Sequence, residues 1–167
     1  MSERRIRPVP LTAERFAPYG DVIEASRSAT TGMNEARFER FDDLCHLDAG
    51  DGRLAVSVVC ARVPSALPYR VDFVERHPLG SQAFMPLSPA PFLVVVCPDE
   101  GGKPGEPRAF VTRSGQGVNY ARGTWHGVLT PIGEPQDFVV IDRGGDGNNL
   151  EEFHFPAPYE ITVPSLT

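Results

Sequence analysis

The sequence predicts an all-β fold of the antiparallel sandwich or barrel kind, and three observations carry that expectation. Short apolar runs recur along the chain, clearest at residues 54–61 and 92–97. Turn residues separate them, with 17 Pro and 16 Gly scattered through the sequence rather than gathered in one tract. Heptads, internal repeats and low-complexity segments are absent, so nothing in the pattern asks for long helices.

With 167 residues the chain is long enough for one well-buried core and short for two, which sets the expectation of a single domain over 1–167. The hydrophobic fraction of 41% and charged fraction of 23% are those of an ordinary globular protein. A net charge of -6 argues against nucleic acid as a partner, because phosphate binding asks for a basic stripe. No run approaches the ~20 apolar residues of a membrane span, and the opening Met1-Ser2-Glu3-Arg4-Arg5 lacks an apolar leader stretch, so no membrane association is expected. Cys45, Cys60 and Cys97 show no CxxC spacing and leave a thiol over in any pairing, which points to the reducing cytoplasm.

In chain order, Thr12 caps a short helix over 13–17, with Glu14 in its first turn and Pro18 and Gly20 ending it. A strand is expected at 21–24, followed by a small, polar, solvated connection over 25–34. Residues 38–47 have mixed periodicity and read equally as a helical turn or a strand, and 48–52 are a turn. Strands follow at 54–61, 69–75, 84–87 and 92–97. The last of these is apolar at every position, so both its faces should be covered, by an opposite sheet or a second subunit. Beyond a loop at 98–107, strands are expected at 108–112, 118–120 and 125–129, and 138–141 is the last strong one before a loop over 143–149. Cys60 and Cys97, set in apolar strands, read as inert core thiols, and His46 and His154 as surface residues.

The chemistry-bearing residues centre on 75–84. Glu75 and His77 stand two apart, so on an extended strand they share one face, and Gln82 follows a Pro78/Gly80 bend that can return it toward them. The segment reads E-x-H-x-x-x-x-Q and resembles the first cupin motif, H-x-H-x-x-x-x-E, with Glu for the first His and Gln for the Glu. Gly115, Ala121, Gly123, His126 and Thr130 resemble the second, G-x5-P-x-G-x2-H-x3-N, in which both glycines and the histidine match while Pro and Asn do not. That resemblance implies a cupin-like double-stranded β-helix, a jelly-roll barrel with short helices, whose pocket is lined by Glu75, His77, Gln82 and His126.

Longer blocks narrow the match. Residues 75–84, 117–126, 142–145 with Asn148, and 19–24 are together similar to the ureidoglycolate lyase family, formerly called ureidoglycolate hydrolase. The resemblance implies cleavage of (S)-ureidoglycolate to glyoxylate and urea in allantoin and purine nitrogen breakdown, by a homodimeric cytosolic enzyme acting on this small molecule. The residue types suit that reaction. A base must take the hydroxyl proton as the carbonyl forms, and an acid must protonate the departing urea; His126, His77 and Glu75 are the catalytic candidates. The substrate carboxylate calls for an Arg fork or backbone donors, with Gln82, Tyr120, Arg143 and Arg76 as candidate substrate contacts. Arg76 alternates away from Glu75 and His77 on a regular strand, which weakens its claim, and Arg62, Arg70 and Arg122 stand as further candidates.

Glu75, His77, Gln82 and His126 also form a mixed nitrogen and oxygen set suited to a divalent metal such as Ni or Mn, or to Fe or Zn, with Gln in place of an anionic Glu weakening the hold. The reading stays open between metal-dependent and metal-free chemistry. Arg143-Gly144-Gly145 lacks the strand-to-helix setting of a phosphate site, so no nucleotide cofactor is expected. Competing readings are a hydrolase, another metal-dependent cupin acting on a related ureido or hydroxy acid, and a cupin-like sensor without turnover. Packing offers a plainer account of His77, His126, Tyr120 and Trp125 taken singly; the joint pattern is what favours a site.

Overall fold

The computed structural model describes residues 4–25 and 31–164. The chain enters with two short strands, β1 (Arg4–Ile6) and β2 (Val9–Pro10), and one helical turn, α1 (Ala13–Phe16). Thr12 caps that turn as expected, its side chain accepting from the Arg15 amide, and Phe16 plunges into the core at 0% exposure. Next come β3 (Gly20–Ile23), a small hairpin of β4 (Thr31–Met33) and β5 (Phe38–Arg40), and the long β6 (Arg53–Ala61). β7 (Tyr69–Arg76), β8 (Gln82–Pro86) and β9 (Phe92–Cys97) follow, then a minor hairpin of β10 (Asp99–Glu100) and β11 (Lys103–Pro104). The chain ends with β12 (Arg108–Val111), β13 (Gly117–Tyr120), β14 (Trp125–His126), β15 (Thr130–Pro131), β16 (Gln136–Gly144) and β17 (Glu151–Ile161).

Two sheets result. The larger runs β1-β17-β7-β14-β9-β12-β2 with β15 also on β9, and the smaller runs β3-β13-β8-β16-β6. From β7 onward the chain passes repeatedly from one sheet to the other, which is the jelly-roll pattern of a cupin-like barrel. The crossings β7 to β8, β13 to β14 and β16 to β17 place residues distant in sequence at one end of the sandwich. Gly123, at φ 77°, makes the middle crossing tight, a backbone state that side-chain-bearing residues adopt at a cost.

Phe92, Val94 and Val96 of β9 meet Phe84, Val118, Phe138 and Val140 of the smaller sheet in the core between the sheets. Leu93, Val95 and Cys97 face the other way, into a second cluster with Val71, Val74, Trp125 and Ile161. The covering of both faces of β9 is therefore met within one chain. Each fully buried Val or Phe is worth about 1.5–3 kcal/mol.

Several expectations are corrected. The strand at 138–141 is not the last, since β17 is the longest in the molecule and carries Pro156 and Pro158 at a register shift between His154 and Tyr159, where a missing ladder donor is tolerated. Arg143 and Gly144, expected in a loop, continue β16, because β6 pairs with it as far as Arg53. Residues 38–40 form a strand and 41–47 run irregularly; of the stretch 25–34, residues 26–30 lie outside the described residues and 31–33 form β4. Cys60 is exposed, not a core thiol, because β6 is an edge strand, whereas Cys97 is buried with its thiol pushed up to about 12 by burial.

Candidate active site

The three crossings at one barrel end build a polar cavity from the core outward. On the larger sheet Glu75 pairs directly with His126, which in turn pairs with Val96, so both side chains look into the space between the sheets. His77 follows just past the end of β7. On the smaller sheet Gln82 opens β8 opposite Tyr120 and Asp142, three side chains that face the same space from β8, β13 and β16.

Glu75, His77 and His126 offer ligand atoms that all lie within 4.8 Å of one another, forming a possible metal-binding group. His77 Nε2 stands 3.9 Å from Glu75 Oε1 and 3.1 Å from Gln82 Oε1. The Tyr120 ring stacks on His126 with centroids 4.1 Å apart and planes 4° from parallel.

Hydrogen-bond polarity defines what this cavity presents. A carbonyl oxygen only accepts, so His77 Nδ1 donates to Asn149 O at 2.7 Å and His126 Nδ1 donates to Gly127 O at 2.9 Å. The Nε2 atom of the His126 ring is then a lone pair turned into the cavity, buried without a partner among the described residues, while His77 Nε2 lies within hydrogen-bond distance of Gln82 Oε1. Gln82 Nε2 donates to Asp142 Oδ2 at 3.3 Å, which leaves Oε1 facing the same point. Acceptors of Glu75, Gln82 and His126 therefore gather around His77 Nε2. Buried polar atoms normally have partners, so this arrangement suits a shared proton or a cation, and its mixed nitrogen and oxygen set fits a divalent metal ion.

Burial also sets the protonation states. His126 is held down to about 3, mainly by desolvation with a smaller contribution from His77, so it stays neutral near pH 7. Glu75 is raised, first by burial and then by Glu152, which pairs with it across β17, against a lowering influence of His77. The Tyr120 hydroxyl is raised by burial and by Glu75 and stays protonated.

Two expected substrate contacts do not join the cluster. Arg76 alternates to the opposite face of β7, where it pairs with Glu151 and Asp99 and lies 4.4 Å over the Trp125 ring. Arg143 turns away from Asp142 to the outer side of β16, where it donates to Ala49 O at 3.2 Å and Asp51 at 2.7 Å, pinning the turn at 48–52 and lowering the Asp51 carboxyl. Strand alternation places both outside the cluster. His46 and His154 are exposed, as expected, with His154 stacked on Phe73. Asp142, Asn149 and Glu152 are neighbours of the site that motif reading missed; extending the period-2 alternation of 138–141 by one residue would have turned Asp142 inward.

The jelly-roll barrel with an imidazole and carboxylate cluster at one mouth is cupin-like in fold, and what it does has to be argued from the site. Residues 3–162 match the ureidoglycolate lyase family. The chain is 60% identical to the ureidoglycolate lyase of Chelativorans sp. (strain BNC1), with 96% of this chain and 98% of that protein covered. It is 56% identical to the ureidoglycolate lyase of Mesorhizobium japonicum, covering 96% and 99%, and 51% identical to ureidoglycolate lyase 2 of Rhizobium meliloti, covering 91% and 94%. Among solved structures, a dTDP sugar isomerase of Desulfovibrio desulfuricans G20 superposes with a TM-score of 0.44 at 15% identity over 83% of this chain and 86% of that one, a likeness that carries no functional argument. The chain belongs to the ureidoglycolate lyase family.

Proposed function

We propose that this protein is a lyase that cleaves (S)-ureidoglycolate to glyoxylate and urea, one step in the recovery of purine nitrogen from allantoin. The observation that carries the reading is the convergence of Glu75, His77 and His126 within 4.8 Å in a chain of this family. Glu75 takes the hydroxyl proton, its raised carboxyl being better matched to neutral pH than an ordinary one. The O–H electron pair becomes the second C–O bond of glyoxylate, the C–N bond breaks, and the same carboxyl returns a proton to the departing urea nitrogen. His77 Nε2 stands beside that carboxyl and steadies the proton it carries. His126 is too firmly neutral to shuttle protons at pH 7; it presents a lone pair and is held flat by Tyr120. Gln82 and Tyr120 line the space for the ureido group.

Glu75, His77, Gln82 and His126 would together hold a divalent cation such as Ni or Mn. When bound, such an ion supplies positive charge to the substrate carboxylate and to the oxygen losing its proton. The coupled assay is direct: equal amounts of urea and glyoxylate are expected from (S)-ureidoglycolate. Ammonia released in place of urea would assign a hydrolase, and binding without turnover a sensor.

The protein acts as one domain over 1–167, and as a cytoplasmic homodimer. Cys45, Cys60 and Cys97 are unpaired, and no helix among the described residues is long and apolar enough to cross a membrane. A second copy covers β6, whose Leu54, Val56 and Val58 are 47%, 71% and 61% exposed, more apolar surface on one strand than a monomer ordinarily leaves bare. Light scattering should give twice the chain mass for the native protein and the single mass for Val58→Lys; a native monomer at micromolar concentration removes the dimer.

A further inference from the structure

We infer that Asp142 is the positioning residue that fixes the polarity of the Gln82 amide, so that the carbonyl and not the NH2 group faces the reacting centre. The inference rests on the cation-holding reading proposed above and deepens it. A carboxamide is nearly symmetric in shape, and nothing about its packing distinguishes its two ends; only its partners do. Asp142 Oδ2 lies 3.3 Å from Gln82 Nε2, and an ionised carboxylate accepts but does not donate. The amide nitrogen is thereby drawn to β16, and Oε1 is left 3.1 Å from His77 Nε2.

Without Asp142 the Gln82 NH2 group loses this acceptor, and the amide is free to turn its nitrogen toward His77 Nε2 in place of its oxygen. The carboxylate therefore decides which end of the amide faces the centre. It completes a design seen at three groups of the cluster, each backed by an acceptor: Asn149 O behind His77, Gly127 O behind His126 and Asp142 behind Gln82. The acceptor behind the Gln82 amide leaves its oxygen in front, and partners behind metal ligands typically alter affinity by about 10- to 100-fold when removed.

The test is a cycle of four proteins: native, Asp142→Asn, Gln82→Glu and the double variant. Mn2+ affinity is read from the electron paramagnetic resonance signal of the free ion, and thermal unfolding confirms that each protein folds. Asn is isosteric with Asp but can donate, so Asp142→Asn lets the Gln82 amide turn over and should weaken Mn2+ binding about 10- to 100-fold. Glutamate turns an oxygen to the centre whichever way it lies, so in the Gln82→Glu background the same Asp142→Asn change, which also separates two facing carboxylates, should not weaken binding. An equal loss in both backgrounds would mean that Asp142 acts only through its charge, and no loss in either that it does nothing; each overturns the inference. If the native protein binds no Mn2+, the cation reading falls by itself. Turnover of the same four proteins then decides the role of Asp142 by the same criterion, a loss confined to the Gln82 background supporting it and any other pattern overturning it.

Discussion

Strands β7 and β14 carry two polar clusters, one on each face, built from residues adjacent in sequence. Outside, Arg76 pairs with Glu151 and Asp99 and lies on Trp125, whose Nε1 donates to Asp99 at 3.1 Å. Inside, Glu75, His77 and His126 meet, with one buried nitrogen unpartnered. The outer cluster pairs donors with acceptors, which is how a fold stabilises itself. The inner one leaves the His126 lone pair unmatched in a confined space, at a cost in stability that makes sense if something else is to be bound or moved there.

The sharpest test of this contrast is Glu75→Gln. Turnover in the urea and glyoxylate assay should fall by about 10² to 10⁴, the worth of general acid–base assistance. The melting temperature should hold or rise, since the substitution removes a partly buried carboxylate crowded by Glu152. A Glu75→Gln protein that keeps its turnover but melts early would invert the two roles.

Divalent ion should come next in size. Mn2+ or Ni2+ at about 100 times its dissociation constant should add about 2.7 kcal/mol of stability to the native protein. His126→Phe, which keeps an aromatic ring against Tyr120 but has no lone pair, should lose most of that gain. Unfolding measured with and without the ion checks both.

The pH dependence of the metal-free protein is the third. His126 is near 3 when folded and at its ordinary 6.5 when unfolded, so between those values the unfolded chain binds the extra proton. Its contribution is fully present above 6.5 and drains as pH falls, by about 2 kcal/mol between about pH 7 and pH 5. Glu75 runs the other way: its raised carboxyl favours the folded state below 4.5 and loses that advantage as pH rises through the raised value. Denaturant titrations should show native stability falling toward pH 5 and His126→Phe flattening that fall; an unchanged slope would mean that His126 is not buried neutral. Smallest is Arg76→Met, which should cost about 1 kcal/mol, the sum of exposed ion pairs and a cation–π contact, and leave turnover intact.

Much of this was readable in advance. Spacing alone put Glu75 and His77 on one face, and the two degenerate motifs brought His126 and Gln82 to them, because motif residues sit beside the strand crossings that topology brings together. The apolar run at 92–97 announced a doubly covered strand. The sequence was opaque where a partner, not a local pattern, decides the structure. Arg143 and Gly144 extend a strand only because β6 is long enough to pair with them. β17 tolerates two prolines only because its register shifts there. Asp142 escaped notice for the same reason, lying just beyond the last residue that looked like a strand. Arg143 drew notice as an arginine, but its reach was decided by the turn at 48–52, which no motif foretells.

β16 sends Asp142 and Arg143, consecutive residues of opposite sign, to opposite sides of the smaller sheet, and its alignment is held by nine paired positions along β6 and five along β8. A slip of one residue would swing the guanidinium into the chamber and the carboxylate out of it. The chamber would then repel cations and lose the anchor of its amide in a single error. Correct zippering of this one strand and competence for chemistry are thus the same event, and a misaligned molecule would be inert rather than promiscuous.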